Sequence, residues 1–189
     1  MQPYSLYLCG VGGQGIGLLS EILLRAADYA GYVAKAVDTH GLAQRGGTVI
    51  SQIRLGATVF TPMIPAGSAD LVVALERHEA LRGVQVALRD QGRLIYYNTV
   101  FQPLGVRLGR DPEVSEADIQ EACAQRGISV TQVERPGLAD ARMQNIIVLA
   151  ALCRQGLVPG LERGHFLQAM DDLLAGSVLA ANLQLFEEA

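Results

Sequence analysis

The sequence predicts an α/β fold: a single Rossmann-like domain with a mainly parallel sheet, an added antiparallel hairpin and helices on both faces. Three observations carry this. Short β-rich runs alternate with helical periods along the chain, the pattern of parallel strands joined by crossover helices. The first strand runs into "CGVGGQGIGLLSE" (9–21), a glycine turn opening a helix, where Gly10, Gly12 and Gly15 fit G-x-G-x-x-G. No linker or internal repeat divides the 189 residues, and a chain of this size buries roughly 70% of its unfolded surface.

Taken in order, "YSLYLCG" (Tyr4–Gly10) reads as a first buried strand. Apolar residues then recur at helical spacing at Ile16, Leu19, Leu23, Ala26, Ala27 and Ala30, and Gly31 closes the helix. "YVAKAVD" (Tyr32–Asp38) is a second strand. After a second glycine-rich loop, "TVISQIRLG" (Thr48–Gly56) alternates β-branched with polar residues, and with "ATVFTPM" it predicts a hairpin turning near Gly56–Ala57. "ADLVVALE" (Ala69–Glu76) is apolar enough for a strand covered on both faces. A polar helix over Arg77–Asp90 and a strand over Gly92–Asn98 follow. Ser115 and Asp118 open a helix closed by Gly127, "ISVTQV" is a short strand, and Ala141–Gln155 is an apolar helix. The C-terminal region is helical from about Gly164, with Phe166, Met170, Leu173 and Leu174 on one face and a break at Gly176–Ser177.

Composition excludes several functions. Half the residues are hydrophobic, 18% are charged and the net charge is -4, so the basic footprint of a nucleic-acid binder is missing. The longest apolar run, Ile146–Cys153, is too short to span a bilayer, and no basic region followed by an apolar run opens the chain. A cytoplasmic protein with neither nucleic-acid nor membrane partner is expected. Cys9, Cys123 and Cys153 are far apart, whereas a [4Fe-4S] cluster needs four close thiolates and structural zinc needs paired ligands. His40, His78 and His165 share no metal spacing either, so no metal site is expected.

The candidate site is a pair of loops. In the first, Gly10 permits a tight turn, Gly12 lets backbone approach a pyrophosphate and Gly15 lets helix and strand pack closely; Gly13 and Gln14 complete it. The N–H groups of the following helical turn then face an anion. The second loop, "THGLAQRGG", supplies Thr39, His40, Gln44, Arg45, Gly46 and Gly47. Its adjacent glycines allow a sharp bend, Arg45 offers a planar fork to phosphate or carboxylate, and His40 is either a second donor or a turn residue. Asp38 stands where a dinucleotide fold places its ribose-binding carboxylate, which keeps a stand-alone NAD- or FAD-binding oxidoreductase open. A glycine loop rather than a crossover helix after Asp38, and no residue set suited to hydride transfer, weigh against that reading. A nucleotide-sensing or scaffold module is the third reading.

The stretches "GVGGQGIGLLSEILLRAA", "THGLAQRGGTVISQIRLG", "GSADLVVALERHEALR", "NIIVLAAL" and "NLQLFEEA" resemble, in order, the γ domain of 2-oxoacid:ferredoxin oxidoreductases over nearly the whole chain, 1–189. Within the family the resemblance is strongest to the small (β) subunit of indolepyruvate ferredoxin oxidoreductase, followed by the γ subunits of the pyruvate and 2-oxoglutarate enzymes. It implies oxidative decarboxylation of a 2-oxoacid to an acyl-CoA, with electrons passed to ferredoxin. It also implies that thiamine diphosphate and [4Fe-4S] clusters sit on a large partner subunit, while this chain binds no cofactor alone and helps form the coenzyme A site. The binding role falls on the two loops, and Asn145 is implied to be structural, holding buried loop backbone. "VFQPLGVRLGRDPEVSE" (100–116) departs from the family's usual look, which leaves the identity of the 2-oxoacid open.

Overall fold

Along β1 (Tyr4–Val11) side chains alternate between two faces, Leu6 and Leu8 on one, Tyr7 and Cys9 on the other, and all four are buried. Such a strand belongs inside a sheet covered on both sides. The computed structural model describes residues 2–39, 47–101, 106, 108–110, 112–138 and 140–189, and places β1 there. The other strands are β2 (Ala34–Thr39), β3 (Thr48–Leu55), β4 (Ala69–Ala74), β5 (Leu88–Tyr97) and β6 (Ser129–Val133). Their order across the sheet is β2–β3–β1–β4–β5–β6. β1, β4, β5 and β6 are parallel, whereas β3 runs antiparallel to both its neighbours.

The helices are α1 (Ile16–Tyr29), α2 (Arg77–Val86), α3 (Glu116–Ala124), α4 (Gln144–Arg154), α5 (Arg163–Leu173) and α6 (Gly176–Glu188). Two cores follow from the alternation of the strands. Leu6, Leu8, Leu71, Val73 and Ile95 pack under α1, α4, α5 and α6. On the opposite face Tyr7, Cys9, Val72, Leu94 and Tyr96 pack under α2 and α3. α4 is buried from Gln144 to Leu152, as a helix enclosed by sheet and outer helices must be. α1 ends in a paired cap: Tyr32 N–H reaches the Ala27 carbonyl and Gly31 N–H the Asp28 carbonyl, with Gly31 at φ 76°. Ser115 and Asp118 form the reciprocal cap at the start of α3.

Three local expectations are corrected. Ala57–Met63 is not a strand, because β2 and β1 already occupy both edges of β3, so the hairpin joins β2 to β3 instead of turning at Gly56–Ala57. Arg54 Nη1 pins the displaced segment by donating to the carbonyls of Thr61 and Met63. The helix expected to reach Asp90 stops at Val86; Leu88, fully buried, starts β5 opposite Ala69, and the Arg126 side chain caps the Val84 and Leu88 carbonyls. The C-terminal break falls at Leu174 and Ala175, both extended, so that Gly176 begins α6.

The direction of winding reverses beside β1. The chain leaves β1 through α1 towards the β2 edge, and later proceeds through β4, β5 and β6 with α2 and α3 on the opposite face. In open α/β sheets the crevice beyond the carboxyl ends at such a switch point is where ligands bind. That crevice holds the first glycine loop.

Candidate functional site

β1 extends through Gly10 to Val11, with Gly10 paired to Val49, so the turn itself is Gly12–Gln14. Gly10 is therefore needed not for the turn but for close approach: a Cβ there would lie 2.9 Å from Gln14 Oε1 and 3.1 Å from Ile16. Gln14, 1% exposed, is committed inside the chain. Its Oε1 accepts from Val11 N–H at 2.7 Å and its Nε2 donates to the Leu75 carbonyl at 3.0 Å, which ties the carboxyl ends of β1 and β4 together. Gly15, at φ 85°, caps α1 without a side chain, and a Cβ there would meet Asn145 Nδ2 at 2.5 Å. Asn145 Nδ2 donates to the Gly15 carbonyl at 3.2 Å while its Oδ1 accepts from Ile146 N–H at 2.7 Å, the loop-holding role the resemblance implied.

The two loops meet. Gly12 N–H donates to the Gly47 carbonyl at 2.9 Å, and Thr48 pairs with Val11. Thr39 Oγ1 donates to the Ile50 carbonyl at 3.0 Å, within the β2–β3 pair. Of the second-loop candidates, His40, Gln44, Arg45 and Gly46 lie outside the described residues.

In front of the loops is a cleft of about 400 Å³ whose wall includes Gly13, Gly15, Gly17, Asp38, Val49 and Arg142. The first turn of α1 carries no acidic residue, and a Cβ at Gly13 or Gly17 would meet nothing within 4 Å. Among the described residues the N–H groups of Gly13 and Gly15 make no backbone hydrogen bond outside α1, and they stand at the positive end of the helix dipole, an arrangement suited to phosphate or carboxylate. Asp38 pairs with Ser51 of β3, and β3 separates it from β1. In a dinucleotide fold the ribose-binding acid is one strand away from the glycine turn; here it is two, about 9.6 Å in strand spacings.

Arg142 escaped the sequence reading. It sits in the 3-10 turn before α4, and its carbonyl lies 3.5 Å from the Cβ position of Gly15. The one signal available was Asn145, three residues on, whose tie to the glycine loop brings this turn with it. The C-terminal residues Leu185 and Phe186, by contrast, belong to the core: both are buried, and Phe186 packs against Phe166 with ring centroids 6.2 Å apart.

Behind the loops lies a buried acidic group. Glu76 caps α2, accepting from Glu79 N–H through Oε1, and its Oε2 stands 3.2 Å from His78 Nδ1. Val114 N–H points at His78 Nε2 at 3.3 Å, so Nε2 is the acceptor and Nδ1–H donates to Glu76. Glu79 Oε1 accepts from Thr48 Oγ1 at 3.0 Å and pairs with Arg82 at 3.3 Å, while its buried Oε2 has no partner among the described residues. Burial is the main cause that raises the Glu79 carboxyl above the ordinary range; Arg82 and Thr48 oppose it. Burial likewise pushes the Tyr7 hydroxyl up to about 12 and the Cys9 thiol well above its usual value. Among the described residues no group of His, Cys, Asp and Glu could hold a metal ion.

The Glu79 geometry has a pH consequence. A carboxyl raised in the folded state binds its proton more tightly there than in the unfolded chain, so stability falls as pH climbs from the unfolded value, ~4.3, through the raised folded value. Glu79→Gln keeps an acceptor for Thr48 and removes the buried charge. Its melting temperature at pH 8 should exceed that of the parent, and its stability should lose that decline. A variant less stable at pH 8 with the decline intact would refute the burial account.

The match to known proteins decides the family. Residues 5–189 match the model of the pyruvate ferredoxin/flavodoxin oxidoreductase family. The chain belongs to that family. It is 31% identical over 189 residues to the indolepyruvate oxidoreductase subunit IorB of Methanothermobacter thermautotrophicus, covering 98% of this chain and 95% of that protein. The corresponding subunit of Archaeoglobus fulgidus is 43% identical over 95 residues, half of this chain and 46% of that protein. In fold the chain resembles the gamma subunit of a keto/oxoacid ferredoxin oxidoreductase from Geobacter sulfurreducens, with a TM-score of 0.66 at 18% identity over 97% of this chain and 94% of that one. It also resembles 30% of a chain of the 2-oxoglutarate:ferredoxin oxidoreductase of Magnetococcus marinus, with a TM-score of 0.69 at 18% identity over all of this chain. That structure was solved with 2-oxoglutarate, coenzyme A and succinyl-CoA bound. The chain is thus a subunit of a 2-oxoacid oxidoreductase of this family, and the α/β fold expected from its sequence is the one observed.

Proposed function

We propose that this chain is the non-thiamine, non-cluster subunit of an indolepyruvate or aryl-pyruvate ferredoxin oxidoreductase, and that its glycine cleft binds the phosphates of coenzyme A. The observation that carries the binding role is the first turn of α1, which is free of acidic side chains and, among the described residues, open at Gly13 and Gly17, with Gly12 bonded to Gly47 at the end of the second loop. The substrate class is supported by the 31% identity to IorB over nearly both whole chains. We assign the second-loop residues Thr39, His40, Gln44, Arg45 and Gly46 to the same ligand, with Arg45 as its cation. Gln14 and Gly10 serve the site by shaping the loop.

The chemistry divides between subunits. Thiamine diphosphate supplies the carbanion-stabilising step on the large partner. We assign the [4Fe-4S] clusters to that partner too, since the three cysteines of this chain are fewer than the four thiolates such a cluster takes. There the 2-oxoacid loses carbon dioxide, its acyl group passes to the coenzyme A thiol, and two electrons pass to ferredoxin. This chain holds the nucleotide end of coenzyme A so that the thiol is presented to the partner. No helix among the described residues is long and apolar enough to cross a membrane, and we place the complex in the cytoplasm.

The test is reconstitution. The purified chain alone should reduce no viologen dye with indolepyruvate and coenzyme A. Adding the large subunit should give turnover that requires both. Turnover by the isolated chain would overturn the assignment.

A further inference from the structure

The glycine cleft does not end at Gly15. A second cleft of about 460 Å³ opens beyond it, with Leu18, Met143, Val178 and Ala181 on its wall, and it shares Gly15 and Arg142 with the first. Arg142 therefore stands at the waist between a cleft bounded by the N-terminal backbone of α1 and one whose wall combines these apolar side chains with the polar Asn145, Ser177 and Asn182. Its guanidinium is held by Asp140: Nε lies 3.1 and 2.9 Å from the two carboxylate oxygens, Nη2 lies 2.6 Å from Oδ2, and Arg142 N–H donates to Oδ1 at 2.9 Å. The pair is open to solvent, with the Arg142 side chain 74% exposed. Water and salt screen a pair so exposed, and a phosphate in the cleft offers the guanidinium the same bidentate geometry that Asp140 does.

The geometry points to Arg142 as a phosphate clamp kept in reserve by Asp140, for a ligand with an anionic centre and an apolar arm that occupies the second cleft. Asp140 is a positioning residue, holding the guanidinium at the cleft mouth until phosphate displaces it. This rests on the coenzyme A reading, because coenzyme A joins a diphosphate to a pantetheine arm, and it names the side chain that selects for the diphosphate.

The test uses the assembled enzyme and three probes: coenzyme A, ADP and pantetheine, the last lacking phosphate. Arg142→Ala should weaken coenzyme A and ADP by about 10- to 100-fold and leave pantetheine unchanged, the size of one charge-assisted contact. Arg142→Lys should restore part of the loss, since it keeps the charge without the fork. Asp140→Asn should tighten ADP in the parent and do nothing in the Arg142→Ala background. Equal tightening in both backgrounds, or an equal loss for pantetheine and ADP, would overturn the clamp. Parent enzyme that binds coenzyme A while Arg142→Ala binds it as well refutes the clamp alone. Parent enzyme that binds neither coenzyme A nor ADP refutes the site reading beneath it.

Discussion

Gln14→Ala should destabilise the chain by roughly 2–6 kcal/mol, because it strips partners from two buried backbone groups at about 1–3 kcal/mol each. The Val11 N–H and the Leu75 carbonyl both meet the Gln14 amide in a region closed to water. For a chain of this length each kcal/mol moves the melting temperature by roughly 2–4 °C, so a fall of about 10 °C is expected. Gln14→Glu separates this role from simple packing. It keeps the acceptor for Val11 but loses the donor to Leu75 and buries a charge, so it should be no better than alanine. Calorimetry on the three proteins decides. If both variants melt with the parent, the amide does not join β1 to β4 as described.

The same residue shows where sequence reading reaches its limit. A glutamine inside a glycine loop is identical on the page whether it bonds a ligand or its own loop. Only the position of the Leu75 carbonyl, 61 residues away, settles which. β1 and α1 were legible because their signals are local: a short β-rich run over Tyr4–Gly10 ending at glycine, apolar residues at helical spacing after Gly15, and glycine at the helix end. The insertion of β3 between β2 and β1 was not. Its alternation suits a hairpin with the following segment equally well, and what excludes that hairpin is the occupation of both β3 edges, one by β2 before it and the other by the distant β1. Arg142 was hidden for a similar reason. It reaches Gly15 only because Asn145 bonds across 130 residues of sequence.

The central claim, that the first turn of α1 receives the phosphates of coenzyme A, is tested most directly at Gly17. This residue is exposed at the second position of α1, and a side chain there has open space. Glutamate in a first helical turn favours the helix, by about 0.3–1 kcal/mol through the dipole. It also puts a negative charge where the phosphate would sit. Gly17→Glu in the assembled enzyme should therefore melt no lower than the parent, yet raise the Michaelis constant for coenzyme A by about tenfold or more, the loss of at least one charge-assisted contact. The constant for the 2-oxoacid should hold, since the proposed division of the chemistry has that acid react on the partner subunit. A Gly17→Glu enzyme with an unchanged constant for coenzyme A would contradict the account.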